Sequence, residues 1–217
     1  MPKPEARMKH TRLLSSFVIG ISLVITHSSL VIAVPPHPEL GANYSAPAGV
    51  GKELIGTRPP EWTLSDWIGS EPRTLASFRG RVVLVRWWTA PGCPFCAASA
   101  DALNELAKKY GDRGLSVIGI YHHKANTPLT REHVAAQAQR LGFTFPVAID
   151  RDWKTLHAWW LDRADRGWTS VTFLVDRDGI IRHIHPGGAF FAGEPGFAAL
   201  EKAVRAALDS NPEPSRP

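Results

Sequence analysis

The segment VVLVRWWTAPGCPFCAASADALNELA, residues 82–107, carries the strongest structural signal in the chain. Its first part, Val82–Trp88, is rich in β-branched and aromatic residues, which predicts a buried strand. Its last part repeats apolar residues at helical spacing, which predicts a helix that ends at a glycine. The chain's two cysteines, Cys93 and Cys96, therefore lie where a strand passes into the first turn of a helix.

That position suits thiol chemistry. A sulfur at Cys93 would face unpaired backbone N–H groups and the positive end of the helix dipole, and both favour the nucleophilic thiolate. Cys96 follows one helical turn later, within reach of Cys93. The Cys93-Pro94-Phe95-Cys96 sequence therefore predicts a redox dithiol, in which Pro94 fixes the loop and Phe95 offers an apolar docking face.

Other uses of a cysteine pair fit less well. A structural zinc site commonly needs a second pair or added histidines, and the chain has only these two cysteines. A c-type haem attachment needs His after the second cysteine, but Ala97 stands there. A purely structural disulfide stays open, although closing so short a loop would stabilise the fold only slightly.

Charge and composition exclude a nucleic-acid binder. The chain has 217 residues, 44% of them hydrophobic, with 25 Lys and Arg against 20 Asp and Glu. Four of the basic residues and one of the acidic residues lie in residues 1–33, which leaves the remainder nearly balanced. The basic residues there are interspersed with acidic ones and form no stripe. Two cysteines are also too few for a disulfide scaffold, so one globular domain with extensions is expected.

The N-terminal region, residues 1–33, resembles an export signal. A basic stretch precedes an apolar one from Leu13 to Ile25, and Val31-Ile32-Ala33 offers a cleavage point. Either a cleaved signal peptide or a retained membrane anchor fits this pattern. Both would deliver the domain to the periplasm or to the outer face of the cytoplasmic membrane, where disulfides persist.

The rest of the chain predicts an α/β domain between a flexible linker at residues 34–55 and a disordered tail at residues 210–217. A hairpin is expected from Trp62–Leu64 and Arg73–Leu75, a helix from Thr127-Pro128, and a helix opened by Asp152. The remaining predicted strands are residues 115–121, 145–150, 171–175 and 180–184, and the last helix starts near Pro195. Strands that alternate with helices predict a central mixed β-sheet flanked by helices on both faces.

Residues 56–209 resemble the thioredoxin-fold proteins of the exported TlpA/ResA-like, redoxin-domain family. The resemblance rests on four segments: Gly56…Pro60-Glu61-Trp62-Thr63-Leu64, Phe78-Arg79-Gly80-Arg81-Val82-Val83-Leu84-Val85, the strand–CxxC–helix junction, and Phe173-Leu174-Val175-Asp176-Arg177-Asp178-Gly179. It implies a thioredoxin-like fold and a thiol–disulfide oxidoreductase in which Cys93 attacks and Cys96 resolves. It also implies protein thiol or disulfide substrates and a redox partner such as a membrane electron donor. No cofactor, metal or nucleic acid is expected, and the chain is expected to be monomeric.

Three positions depart from the family pattern. Ser170, followed by Val171, stands where the family usually has a cis-proline, so a trans peptide bond is expected. Arg86 stands where the family often has a buried acid or Asn, two residues before Trp88. A buried Arg needs a partner, so Arg86 is expected to face outward or to pair with an acid. The loop from Trp88 to Cys93 is also one residue longer than usual.

The tryptophans and histidines allow further interpretations. Trp87 and Trp88 are expected to pack in the core. Two histidine pairs, His122-His123 and His183 with His185, are expected to lie far apart, on either side of the central strands. The favoured interpretation is that these histidines are solvated and bind no metal. A copper-delivery module using the cysteines and His185 is the metal-binding alternative.

Two alternatives to disulfide exchange concern the reaction itself. A peroxiredoxin-like peroxide reductase would need a Thr three residues before Cys93, where Ala90 stands, because that hydroxyl orients the peroxide. A binding module that kept the fold but exchanges disulfides slowly is the non-enzymatic alternative, suggested by Ser170.

Overall fold

The computed structural model describes residues 49–163 and 165–210, which contain a six-stranded sheet in the order β1-β4-β3-β2-β5-β6. β2 pairs in parallel with β3, and β3 with β4, while β1, β5 and β6 are antiparallel to their neighbours. The predicted mixed sheet is confirmed. The strands are β1 Trp67–Ile68, β2 Val82–Trp88, β3 Leu115–Tyr121, β4 Val147–Ile149, β5 Thr172–Val175 and β6 Ile181–His185.

The described helices are α1 Pro94–Ala98, α2 Ala100–Tyr110, α3 Arg131–Arg140, α4 Lys154–Leu156 and α5 Pro195–Asp209. α4 continues into a π-helical turn, His157–Leu161, and short 3₁₀ turns span Lys52–Leu54 and Ala76–Phe78. One predicted helix start was misplaced, because Thr130 caps α3, three residues after Thr127. The helix predicted to open at Asp152 begins at Lys154, whose N–H donates to the Asp152 carboxylate at 3.5 Å. The Asp150 carboxylate accepts the next two N–H groups of α4, those of Thr155 and Leu156.

The core lies on both faces of the sheet because alternate residues of each strand point to opposite sides. Val83, Val85 and Trp87 of β2 pack with Trp159 and Trp160 of the π-helical turn. The other β2 face, with Val82 and Leu84, packs against apolar residues of α2 and α5. Helices therefore flank both faces, as predicted.

The predicted hairpin at residues 62–75 was wrong. The two segments approach each other through side chains: the Trp62 indole donates to the Arg73 carbonyl at 2.7 Å. The Glu61 carboxylate accepts the backbone N–H groups of Leu75 and Ala76. The short strand between them, β1, pairs with β4 instead.

The chain segment before Gly56 is already part of the folded unit. Gly51, at φ +80°, lies so close to Trp160 that a Cβ atom would come within 2.7 Å of its ring, and Val50 and Leu54 pack against the core. The last residues of the predicted linker are therefore packed against the domain. The predicted export signal, the rest of the linker and residues 211–217 lie outside the described residues. Among those described, no helix is long and apolar enough to span a membrane.

Candidate functional site

The dithiol sits at the junction predicted from the sequence. Cys93 is the N-cap residue of α1, Pro94 is the first helical residue, and Cys93 is joined to Cys96 by a disulfide. The Cys93 Sγ accepts the backbone N–H of Cys96 at 3.2 Å. Cys93 is partly exposed, whereas Cys96 is only 2% exposed. An incoming sulfur can therefore reach Cys93 first.

A pocket of about 230 Å³ opens beside the disulfide. The dithiol loop forms one wall with Pro94 and Phe95, and Ser170 and its neighbours before β5 form another. The Phe95 ring packs edge-on against Trp168, with ring centroids 5.5 Å apart. This aromatic corner next to Cys93 can hold an apolar group that flanks a substrate disulfide.

Trp88 and Val171, also predicted near the site, are fully buried beneath it. Trp88 packs edge-on against Tyr121 and Phe143, so it belongs to the core, as expected for both Trp87 and Trp88. The Val171 carbonyl accepts the Trp87 N–H at 3.0 Å. The bond that precedes Ser170, between Thr169 and Ser170, is trans, as expected; the cis peptide in the described chain is Ala90–Pro91.

Arg86 contradicts both expectations made for it. It neither faces outward nor pairs with an acid: it is 1% exposed, and its guanidinium donates to backbone carbonyls and hydroxyls. The acceptors are the carbonyls of Ser170 (2.5 Å) and Gly188 (2.8 Å) and the hydroxyls of Thr172 (3.1 Å) and Ser99 (3.4 Å). Neutral dipoles therefore solvate this buried cation.

The Arg86 charge is retained at neutral pH. Burial lowers the pKa of Arg86 to about 9, which still leaves it protonated at pH 7. The guanidinium also lies over the Phe190 ring, 4.9 Å from its centroid. Ser99 joins this cluster to the dithiol helix, because its hydroxyl donates to the Phe95 carbonyl at 2.8 Å and accepts the Phe190 N–H at 3.1 Å.

His122 is the site residue that the solvated-loop interpretation missed. It follows β3, is fully buried, and lines the same pocket as the two cysteines. Neither of its ring nitrogens has a hydrogen-bond partner among the described residues. Burial, followed by the charge of Lys124, lowers the pKa of His122 to about 3, so the imidazole is neutral. The adjacent His123 differs, since its ring contacts the Tyr121 hydroxyl and the Thr127 carbonyl.

The second histidine pair lies on β6, which β5 and β2 separate from β3, so the expected separation is confirmed. His185 packs against Phe190, with ring centroids 5.1 Å apart, and burial lowers its pKa to about 3. Across residues 49–163 and 165–210, no group of three or more His, Cys, Asp or Glu side chains is placed to hold a metal.

The buried neutral His122 should make stability depend on pH. Its folded pKa, about 3, lies below the ordinary value of 6.5, so the unfolded chain binds an extra proton between these values. The free energy of unfolding therefore decreases as pH falls. Because Asn does not titrate, His122→Asn should lose about 2 kcal/mol less of this free energy than the unmodified protein between about pH 6.5 and pH 5. Urea unfolding at both pH values measures this, with exposed His157→Asn as the control. Equal pH dependence in His122→Asn and the unmodified protein would contradict it.

Comparison with known proteins agrees with this geometry. Residues 55–184 match the AhpC/TSA family. Protein DipZ of Mycobacterium bovis is 31% identical over 160 residues, which cover 72% of this chain and 21% of DipZ; the chain thus spans about a fifth of that relative. Thiol-disulfide oxidoreductase ResA of Geobacillus thermodenitrificans is 31% identical over 133 residues, 61% of this chain and 70% of ResA.

Two further similarities bear on fold and function. Peroxiredoxin Q of Gentiana triflora is 29% identical over 190 residues, which cover 85% of this chain and 81% of that protein. A crystal structure of a thiol:disulfide interchange protein of the thioredoxin family from Chlorobium tepidum superposes with a TM-score of 0.52. Its identity is 20%, and the match covers 70% of this chain and 97% of that one. The predicted thioredoxin-like fold and the relationship to ResA are thus confirmed, and the chain belongs to the AhpC/TSA family.

Proposed function

We propose that this protein is a thiol–disulfide oxidoreductase that exchanges disulfides with extracytoplasmic protein substrates through Cys93 and Cys96. The observation that carries the proposal is the difference between the two sulfurs. Cys93 is accessible and stabilised by the first turn of α1, while Cys96 is buried directly behind it. The relationship to ResA supports the same activity.

The exchange takes place in two displacements. The Cys93 thiolate attacks a substrate disulfide, so that a Cys93–substrate disulfide forms and one substrate thiolate leaves. Cys96 then attacks the Cys93 sulfur, which forms the internal disulfide and releases the second substrate thiol. In the opposite direction the same steps oxidise a substrate dithiol. Phe95 and Trp168 offer the apolar surface on which the chain around the substrate cysteine can rest.

The predicted N-terminal export signal supports an extracytoplasmic location. A redox partner must reset the dithiol after each turnover, and a membrane electron donor is the partner class we propose. We propose the monomer as the working unit, with an N-terminal anchor as one route to the membrane surface.

Peroxide reduction, the second candidate, draws support from the family and from the similarity to peroxiredoxin Q. The local geometry favours disulfide exchange. Ala90 stands three residues before Cys93 and contributes only its carbonyl, which accepts a hydrogen bond from the Tyr121 hydroxyl at 2.9 Å. Ala90 thus brings no hydroxyl to orient a peroxide at Cys93.

The equilibrium potential of the Cys93–Cys96 couple tests the proposal. Thiol trapping across a series of redox buffers should show one reversible two-electron couple. Because a buried cation without a carboxylate partner lies beneath the site, the potential should be higher than the value for thioredoxin, about −270 mV. Absence of a reversible couple would overturn the proposal, and rapid consumption of hydrogen peroxide by the same sample would favour peroxide reduction.

A further inference from the structure

His122 is a buried base that the packing alone does not explain. Its backbone N–H is bonded to the Trp88 carbonyl at 3.0 Å, and its ring stands edge-on to Trp153, with centroids 5.0 Å apart. These contacts fix the ring but leave both nitrogens unpartnered among the described residues. An unpaired buried imidazole costs free energy, which an apolar residue of similar size would avoid.

The pocket that His122 lines is where a proton must be handled. Cys96 lines it and is too buried to lose its proton directly to bulk solvent. Lys124, Cys93 and Cys96 are the other ionisable residues that line this pocket, and Arg86 acts on His122 through its charge from beneath. None of these groups is a carboxylate, so His122 is the group available there to accept a proton at neutral pH.

We propose that His122 accepts the Cys96 proton, directly or through a water molecule in the pocket, when Cys96 resolves the mixed disulfide. This rests on the proposed function. The Cys96 S–H bond breaks as the Cys96 sulfur attacks Cys93, the Cys93–substrate bond breaks, and the Cys93–Cys96 bond forms. The electron pair of the broken disulfide leaves on the substrate thiolate. The imidazolium of His122 then returns the proton to that thiolate, so the substrate departs as a thiol.

The surrounding charges suit a transient acceptor. Burial, and after it the charges of Lys124 and Arg86, oppose a permanent positive charge on His122, so the ring starts each cycle neutral. A nearby thiolate raises the pKa of His122 for as long as the thiolate exists, since an opposite charge favours the protonated ring. The proton is therefore accepted during the step and released once the substrate leaves.

The pH dependence of the resolving step tests this role. Single-turnover release of a substrate thiol from the preformed Cys93 mixed disulfide should be nearly independent of pH between about pH 5 and pH 8 in the unmodified protein. In His122→Asn the rate at pH 7 should fall about 100-fold, the lower end of general-base effects. It should then rise about tenfold per pH unit, because only the ionised Cys96 reacts.

Two further measurements keep the test decisive. Added imidazole should restore the rate of His122→Ala, since a diffusible base can enter the space the ring leaves, whereas His157→Asn should behave like the unmodified protein with or without imidazole. If His122→Asn keeps a pH-independent resolving step, His122 is structural and the inference is wrong. The proposed function fails separately, if the unmodified protein forms no mixed disulfide at all.

Discussion

Cys96→Ser should accumulate a stable disulfide between Cys93 and a substrate cysteine instead of turning over. With serine at position 96, the second displacement has no sulfur, so the reaction stops after the first. The bond that forms first must involve the accessible Cys93, because Cys96 is buried behind it. Non-reducing electrophoresis and intact mass would show the adduct, and catalytic turnover should fall to the rate of a free thiol.

Cys93→Ser is the matched control for this experiment. It keeps the helix N-cap, since a serine oxygen accepts a backbone N–H as the Cys93 sulfur does, but it removes the attacking sulfur. It should form no adduct with the same substrate. An adduct on Cys93→Ser that equals the one on Cys96→Ser would show that Cys96 attacks, which would reverse the proposed roles.

Arg86→Ala should have the largest effect on stability among substitutions near the site. It leaves the Ser170 and Gly188 carbonyls without their buried donor and opens a cavity under the dithiol. Stranded acceptors and lost packing together should lower the free energy of unfolding by about 3 kcal/mol, after the gain from removing a buried charge. Urea unfolding measures this loss.

The same variant should also shift the redox equilibrium. A positive charge near the dithiol favours thiolate and therefore the reduced form, so its removal should make the potential about 30 mV more negative for each unit by which the thiol pKa rises. Arg86→Lys keeps the charge but not the forked donor geometry, so it should destabilise the fold with little change in potential. Equal potential shifts in both variants would contradict a charge effect.

Arg81→Ala is the control for the loss of an arginine. Arg81 lies at the start of the same strand region and donates to Ser116 and Leu115, but it is exposed. Its replacement should change stability by about 0.5 kcal/mol or less and leave the potential unchanged. A loss as large as that of Arg86→Ala would mean that burial is not what makes Arg86 important.

The sequence predicted those parts of the fold whose signal is local. β2, β3 and the hairpin of β5 and β6 follow from apolar runs and a turn at Gly179, which adopts φ +74°. The dithiol at the start of α1 follows from the strand–CxxC–helix order. The hairpin around Gly69 failed because two short apolar segments look alike whether their backbones pair or only their side chains meet.

Long-range contacts account for what the sequence did not show. Arg86 bonds to residues that are 84 and 102 positions away, so its surroundings depend on how β5 and the loop after β6 return to β2. His122 directly follows a strand, where a polar doublet ordinarily marks a solvated loop. It is buried because Trp153, with an unusual left-handed backbone at φ 62°, folds over it.

The hydrogen bonds from Arg86 to Ser99 and Ser170 restrict which substitutions this sequence can accept during evolution. A carboxylate at position 86 would be repelled by the carbonyl oxygens there, and an apolar side chain would leave those buried carbonyls without a hydrogen-bond donor. Replacements at positions 86 and 99 are therefore expected to occur together, whereas a proline at position 170 would keep the carbonyl that Arg86 binds and would lose the hydroxyl that holds the Gly188 N–H.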